Sequence, residues 1–380
     1  MKYLKRKDFL MFGKPVIDEV EIQEVVDTLR SGWIGTGPKT QRFEQDFREY
    51  IGTKYTIALN SCTAALHLSL LALGIGSGDE VITTPLTFCA TVNTIVHVGA
   101  TPVFVDVEKE TFNINSNLIE EKITENTKAI IVVHMAGRSC QMDRIMAIAK
   151  KHSLYVIEDA AHAIETKFKE EKVGTIGDIA CFSFYANKNL TTAEGGMVTT
   201  DNVELAEKIR VLSLHGMDKD AWKRFGDNGY KHYDIITAGY KYNMTDIQAS
   251  LGIHQFKKID YFLERRREVW RIYDRELKGL PIVLPNKGVD GVHAMHLYQI
   301  LTENRDEVLR RLNAENIGAG VHYLAIHLQT YYKNKFGFKV GSSPVAEDIA
   351  SKTLSLPLSP YMTEEDAYDV VEAMCEVYGV

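Results

Sequence analysis

The sequence predicts an α/β protein: a large domain with a mixed, mostly parallel sheet flanked by helices, followed by a smaller α+β carboxy-terminal domain. Three observations predict it. From about Val16 to Gln255, short and nearly all-apolar runs alternate with helical segments, the pattern of a parallel sheet with helical crossovers. The apolar runs carry no polar alternation, which implies burial on both faces. Beyond Asp246 the texture changes to long, charged helices. The division is expected as 15–255 and 256–380, with 1–14 packing near the second unit.

The expected strands are Tyr55 to Leu59, Glu80 to Thr84, Thr101 to Val107, Ala129 to Met135, Tyr155 to Glu158, Ile179 to Phe184 and Gly196 to Thr200. Helices are expected over Thr63 to Leu73, Phe88 to Val98, Leu118 to Ile123, Met142 to His152 and Val203 to Leu214. In the second unit, one long helix from Asp246 to about Leu280 has room for a break near Asp260. It is followed by Val292 to Leu301, Arg305 to Glu315, an irregular loop around His322 to His327, and a closing helix from Thr363 to Val377. In such sheets ligands sit beyond the carboxyl ends of the strands, so the residues there draw the eye.

Composition narrows the function. The 380 residues include 45% hydrophobic and 25% charged side chains, an ordinary soluble balance. The formal charge of -7 has the wrong sign for a nucleic-acid surface. No stretch reaches the roughly 20 apolar residues of a membrane span, and Met1 to Gly13 lacks a secretory apolar core. A cytoplasmic protein with no nucleic-acid or membrane partner is expected. Cys62, Cys89, Cys140, Cys181 and Cys375 form no C-x-x-C pair and read as reduced thiols.

Some motifs lose their appeal in context. Gly74-Ile75-Gly76-Ser77-Gly78 follows a helix and precedes a strand, the reverse of a dinucleotide-binding loop, so it reads as a helix end and turn. His293 with His296, and His322 with His327, lack the spacing and companions of a metal site. No metal is expected. Arg265-Arg266-Arg267 reads as a solvated helix face.

Three segments are harder to dismiss because they converge at one end of the sheet. Asn60 to Leu66 follows a strand and opens a helix, where free N–H groups, small residues and the Thr63 hydroxyl suit a phosphate; plain helix capping is the alternative. Val156 to His162 ends a buried strand in Glu158 and Asp159, and a buried carboxylate needs a cation or a protonated ring nitrogen; a capping Asp is again the alternative. Cys181 to Gly196 leads from a strand into a polar loop carrying Lys188, which, desolvated there, can form a Schiff base with a carbonyl compound. Together these are the protein groups pyridoxal phosphate requires. Phe88 is a candidate for stacking on its ring.

The ordered motifs Ser31 to Pro38, the Thr63 segment, Pro102 to Asp106, Glu158 to His162, Ser183 to Gly196, Gly239 to Asp246, His322-Tyr323 and Ser355 to Leu358 resemble the DegT/DnrJ/EryC1 family of sugar aminotransferases. The resemblance implies the fold-type-I architecture of pyridoxal phosphate enzymes. It implies Lys188 as the Schiff-base lysine, Asp159 as the pyridine-nitrogen partner, Phe88 as the stacking aromatic, and His162 beside the cofactor hydroxyl. Cys62, Thr63, Ala64 and Ser183 fall at or beside phosphate positions, and Asn243 matches an asparagine reaching the neighbouring subunit's phosphate, so a homodimer with shared sites is implied. Arg224 would help hold a nucleotide diphosphate, while His322, Tyr323 and Tyr185 would line the substrate side. Tyr185 and Leu324 depart from the His and Pro of many relatives.

The function expected from this resemblance is transfer of an amine from L-glutamate to a UDP- or dTDP-linked 4-keto sugar, with 2-oxoglutarate as coproduct. Amination at C3, a non-transaminating pyridoxal enzyme and a non-catalytic regulator are the alternatives.

Overall fold

The structure, a computed structural model, describes residues 5–218, 232–286 and 290–379. Two helices, α1 (Glu19–Ser31) and α2 (Pro38–Ile51), precede the first strand. The alternation of apolar runs gives no hint of them, yet both carry start and stop signals. Asp18 and Glu21 form a capping box, Pro38 opens α2, and Gly32 and Gly52 close the pair in left-handed conformation.

The large sheet is built from β1 (Tyr55–Leu59), α3 (Cys62–Ala72), β2 (Glu80–Thr83), α4 (Cys89–His97), β3 (Thr101–Phe104), β4 (Thr127–Val133), α5 (Met142–His152) and β5 (Tyr155–Asp159). A small hairpin, β6 (Lys167–Phe168) and β7 (Glu171–Lys172), then leads to β8 (Ile179–Ser183), β9 (Gly196–Thr200) and α6 (Val203–Ser213). The order across the sheet is β1-β9-β8-β5-β4-β2-β3, and only β9 runs against its neighbours. Helix α3 is apolar nearly all round because it lies between the sheet and its neighbours α4 and α6. On another part of the sheet Phe43 and Phe47 of α2 meet Phe182 and Phe184 edge to face, with centroids 5.0–5.5 Å apart.

This topology places the site. Register pairs Asp159 with Cys181, Ser183 with Gly196 and Gly196 with Leu59. The carboxyl ends of β1, β5 and β8 and the start of β9 therefore lie side by side, with the amino terminus of α3 among them.

Next, α7 (Asp246–Phe256) packs on α1 and α2, and β10 (Gly291–Val292) pairs with β6, while α8 (Ile259–Glu276), β11 (Tyr298–Leu301), α9 (Arg305–Ala314), α10 (Thr330–Phe336), α11 (Pro344–Lys352), β12 (Thr353–Leu356) and α12 (Glu364–Tyr378) complete the chain. β11 pairs antiparallel with β12, and Trp270, Tyr273, Tyr298, Leu312 and Met374 fill the core beside them. Leu10 joins that core, and its backbone bonds Asn316 and Gly318. No helix among the described residues is long and apolar enough to cross a membrane.

The long helix breaks at Lys257–Lys258, close to the expected Asp260, into α7 and α8. Three expectations need correction. Leu118 to Ile123 is one 3-10 turn, Glu120–Lys122. The third strand stops at Phe104, because Asp106 turns away to accept the Val345 and Ala346 N–H groups at the start of α11. The run Arg265 to Arg267 is not wholly solvated: Arg266 is buried against Glu165 at 3.4 Å. The Gly74 to Gly78 segment is the expected turn, with Gly74 and Gly78 at positive φ.

Candidate active site

A cavity of about 480 Å³ opens where these strand ends meet. Its floor depends on close backbone approach. A Cβ on Gly196 would stand 2.5 Å from the Ser61 carbonyl carbon and 2.6 Å from the Cys62 nitrogen, so only glycine lets β9 seat against the start of α3. Ser61 caps that helix by accepting the Ala64 N–H at 3.1 Å, while exposed Thr63 and buried Cys62 line the cavity. Helix N-termini of this kind attract anions. Gly196→Ala should destabilise the protein by about 1–3 kcal/mol and weaken retention of a phosphate-bearing cofactor; thermal melts and cofactor titration check both.

Asp159 closes β5. Thr91 of α4 donates its hydroxyl to Oδ2 at 2.8 Å, and the Ala161 N–H donates to Oδ1 at 3.2 Å. Burial raises the carboxyl pKa, opposed by these two bonds and by Lys188. A carboxylate so placed is poised to hold a proton on a cationic partner. Sequence reading overlooked Thr91, although Thr87 and Thr91 sit one helical turn apart and share a 2.8 Å hydrogen bond.

Lys188 follows β8 in the loop, its N–H bonded to the Tyr185 carbonyl at 2.9 Å. Burial lowers its amine to about 8, with Cys62 and Asp159 opposing that shift. A neutral amine is the nucleophilic form. The free protein should therefore react with pyridoxal phosphate at a rate that rises with pH and levels above a midpoint near 8. A lysine at an ordinary value near 10.4 would show no levelling below about pH 10, and stopped-flow absorbance separates the two.

The far wall joins His162, just past β5, to His322 and Tyr323 from beyond α9. His162 Nδ1 accepts the Ala136 N–H at 3.3 Å, and burial holds the ring neutral by lowering its pKa well below the usual value. The ring proton therefore sits on Nε2 and is donated to the Tyr323 oxygen, 3.2 Å away. The Tyr323 hydroxyl is left to donate into the cavity. His162 also stacks on His296, centroids 4.3 Å apart. His322 bonds Ser355 at 2.9 Å, lies on Phe12, and is lowered to about 4 by burial and by Lys188.

Lys188, Asp159, His162, Ser183, Cys62, Thr63, Phe88, Tyr185, His322 and Tyr323 all line one cavity. Phe88, at the N-cap of α4, is 56% exposed there, a free flat face. Two expected residues do not line it. Ala64 is buried behind Ser61, and Asn243 faces a separate recess, donating to the Thr36 hydroxyl at 2.6 Å. Arg224 lies outside the described residues. Glu194 and Asn187, not foreseen, also line the cavity. The donor set of a partly buried neutral-prone amine, a buried carboxylate and a helix N-terminus fits a group bearing an aldehyde, a ring nitrogen and a phosphate.

Comparison with known proteins agrees. Residues 15–375 match the DegT/DnrJ/EryC1/StrS aminotransferase family. The spore coat polysaccharide biosynthesis protein SpsC of Bacillus subtilis is 49% identical over 381 residues, covering 98% of both chains. Spr1654 of Streptococcus pneumoniae, named as a sugar aminotransferase and solved in PMP and PLP forms, is 38% identical with a TM-score of 0.91, its PMP form covering 98% of both chains. PseC of Helicobacter pylori, an aminotransferase of pseudoaminic acid biosynthesis, is 31% identical with a TM-score of 0.90, covering 98% of this chain and 100% of that one. With its cavity chemistry, fold and family match in accord, the chain belongs to the DegT/DnrJ/EryC1/StrS family and is a pyridoxal phosphate-dependent sugar aminotransferase.

Proposed function

We propose that the chain aminates a nucleotide-linked 4-keto sugar, UDP- or dTDP-bound and 4-keto-6-deoxy in type, with L-glutamate as donor. The observation that carries this reading is the convergence of Lys188, Asp159 and the α3 amino terminus on one cavity whose outer wall holds neutral, hydrogen-bonding side chains. The polysaccharide role in the name of SpsC and the pseudoaminic acid role of PseC support a sugar destined for surface glycans.

When bound, pyridoxal phosphate supplies an electron sink for the carbanion formed at the donor's α-carbon. Asp159, steadied by Thr91 and the Ala161 N–H, would hold a proton on the ring nitrogen. Lys188 would anchor the cofactor and, once freed, would as a neutral amine move a proton between the donor's α-carbon and the cofactor carbon on the far side of the nitrogen. Thr63, Cys62 and Ser183 would surround the phosphate, and Phe88 would cover one ring face. His162 and Tyr323 present a hydroxyl donor without a charge. Glutamate leaves as 2-oxoglutarate, and the reverse sequence delivers the amine to the sugar ketone. His322, Tyr323 and Tyr185 would contact the sugar, and Arg224 the diphosphate.

The reading includes a cytoplasmic homodimer in which Asn243 serves the partner's phosphate. Trp33, Ile34, Ile235 and Ile236 are about half exposed, as suits an apolar surface covered by a second copy. The test is a half-reaction followed by a second: holoenzyme with glutamate alone should release one equivalent of 2-oxoglutarate per site. Adding a dTDP- or UDP-linked 4-keto-6-deoxy sugar should then yield a C4 amine by NMR. No 2-oxoglutarate, or an amine at C3, contradicts it.

A further inference from the structure

A second cavity, of about 310 Å³, lies behind the active site between the loop after β3 and the β11 region. Most of its wall is apolar, and Phe112, Leu284, Leu297 and Leu301 are part of it. Arg138, only 5% exposed, forms its polar end.

The guanidinium there is not neutralised. Nη1 donates to the Thr111 carbonyl at 3.1 Å and Nη2 to the Asn286 carbonyl, while Nε–H has no acceptor among the described residues. Burial alone draws its pKa down to about 10, with no carboxylate among the described residues offsetting it. An isolated buried cation is costly unless paired. At the mouth stand Lys109 and Glu110, both exposed and thus screened by water.

We propose that this cavity binds a small organic carboxylate with an apolar body, its anionic end on Arg138 and Lys109 and its tail among Phe112, Leu284 and Leu297. The planar guanidinium fork suits a carboxylate, and the apolar wall suits a hydrocarbon rather than a polyhydroxylated molecule. Such a ligand touches the active site through two walls. Ala136, whose N–H holds His162, lines this cavity, and so does Gln299, whose Nε2 donates to the His322 carbonyl at 2.5 Å. A ligand here would lie against the walls that hold the groups facing the substrate.

Calorimetry on the wild-type holoenzyme with benzoate, and with benzyl alcohol as its uncharged counterpart, tests the site. Benzoate should bind one equivalent at least about tenfold more tightly than the alcohol, a charge-assisted difference. Arg138→Gln should abolish that preference, and Lys109→Glu, at an exposed position that leaves folding untouched, should weaken benzoate several-fold. Equal binding of benzoate and benzyl alcohol overturns the proposal. So does wild-type benzoate affinity in either variant, which would place the acid elsewhere, including the main active site.

Discussion

Lys188→Ala should lower amino transfer by at least about 10⁴-fold, the scale of losing a nucleophile that also moves protons. The physical reason is specific to this amine. It is partly buried, held near 8 and placed in the same cavity as Asp159, so roughly a tenth of it is neutral at pH 7, far more than for a lysine at its ordinary value. Lys188→Arg should be equally inactive, since a guanidinium keeps the charge but offers no free base. The Ala variant should fold, because it removes a costly charge without stranding an ion-pair partner, whereas the Arg variant keeps the charge and its melt is the control for lost structure. Single-turnover release of 2-oxoglutarate from glutamate, alongside circular dichroism melts, separates lost chemistry from lost structure.

Asp159→Asn should lower turnover by about 10²–10³-fold, the usual loss on removing one preorganised electrostatic partner. Asparagine retains an acceptor for the Ala161 N–H, and the Thr91 hydroxyl rotates to accept its amide. The stability effect runs the other way. Burial raises the Asp159 pKa in the folded protein, so the folded state binds more protons than the unfolded one between the ordinary value of 3.8 and that raised value. Across this window the group's contribution to cofactor-free stability falls as pH rises. The Asn variant without cofactor should be at least as stable as wild type at neutral pH, with the difference shrinking as pH falls through that window. A variant that lost both activity and stability would assign Asp159 a purely structural role.

Much of this arrangement was legible because the large sheet announces itself. Strands such as Ile179 to Ser183 and Gly196 to Thr200 are apolar on both faces, so their extent follows from composition, and the residues just past them are the cavity residues. Lys188 and Asp159 were readable for that reason. Elements without that signature were not. Helices α1 and α2 are charged, amphipathic and lie ahead of the apolar strand runs, so a reading led by those runs passes over them and their short-range cap signals. Thr91 escaped because its role depends on a helix crossing a strand end, a relation between segments distant in sequence. Arg266 was misread because its neighbours Arg265 and Arg267 do pair at the surface with Glu268 and Glu264, whereas its own partner, Glu165, lies far away along the chain. Burial raises Glu165 to about 7, and Asn189 bridges it to His296 beneath His162. No local pattern encodes such a buried network; only folding assembles it.

The central claim is that a single partly buried amine carries the cofactor. Borohydride reduction of pyridoxal phosphate-loaded protein, followed by peptide mass spectrometry, addresses it most directly. The expected result is one pyridoxyl-phosphate adduct per chain, on Lys188 alone. An adduct spread over surface lysines with residue 188 unmodified would contradict it.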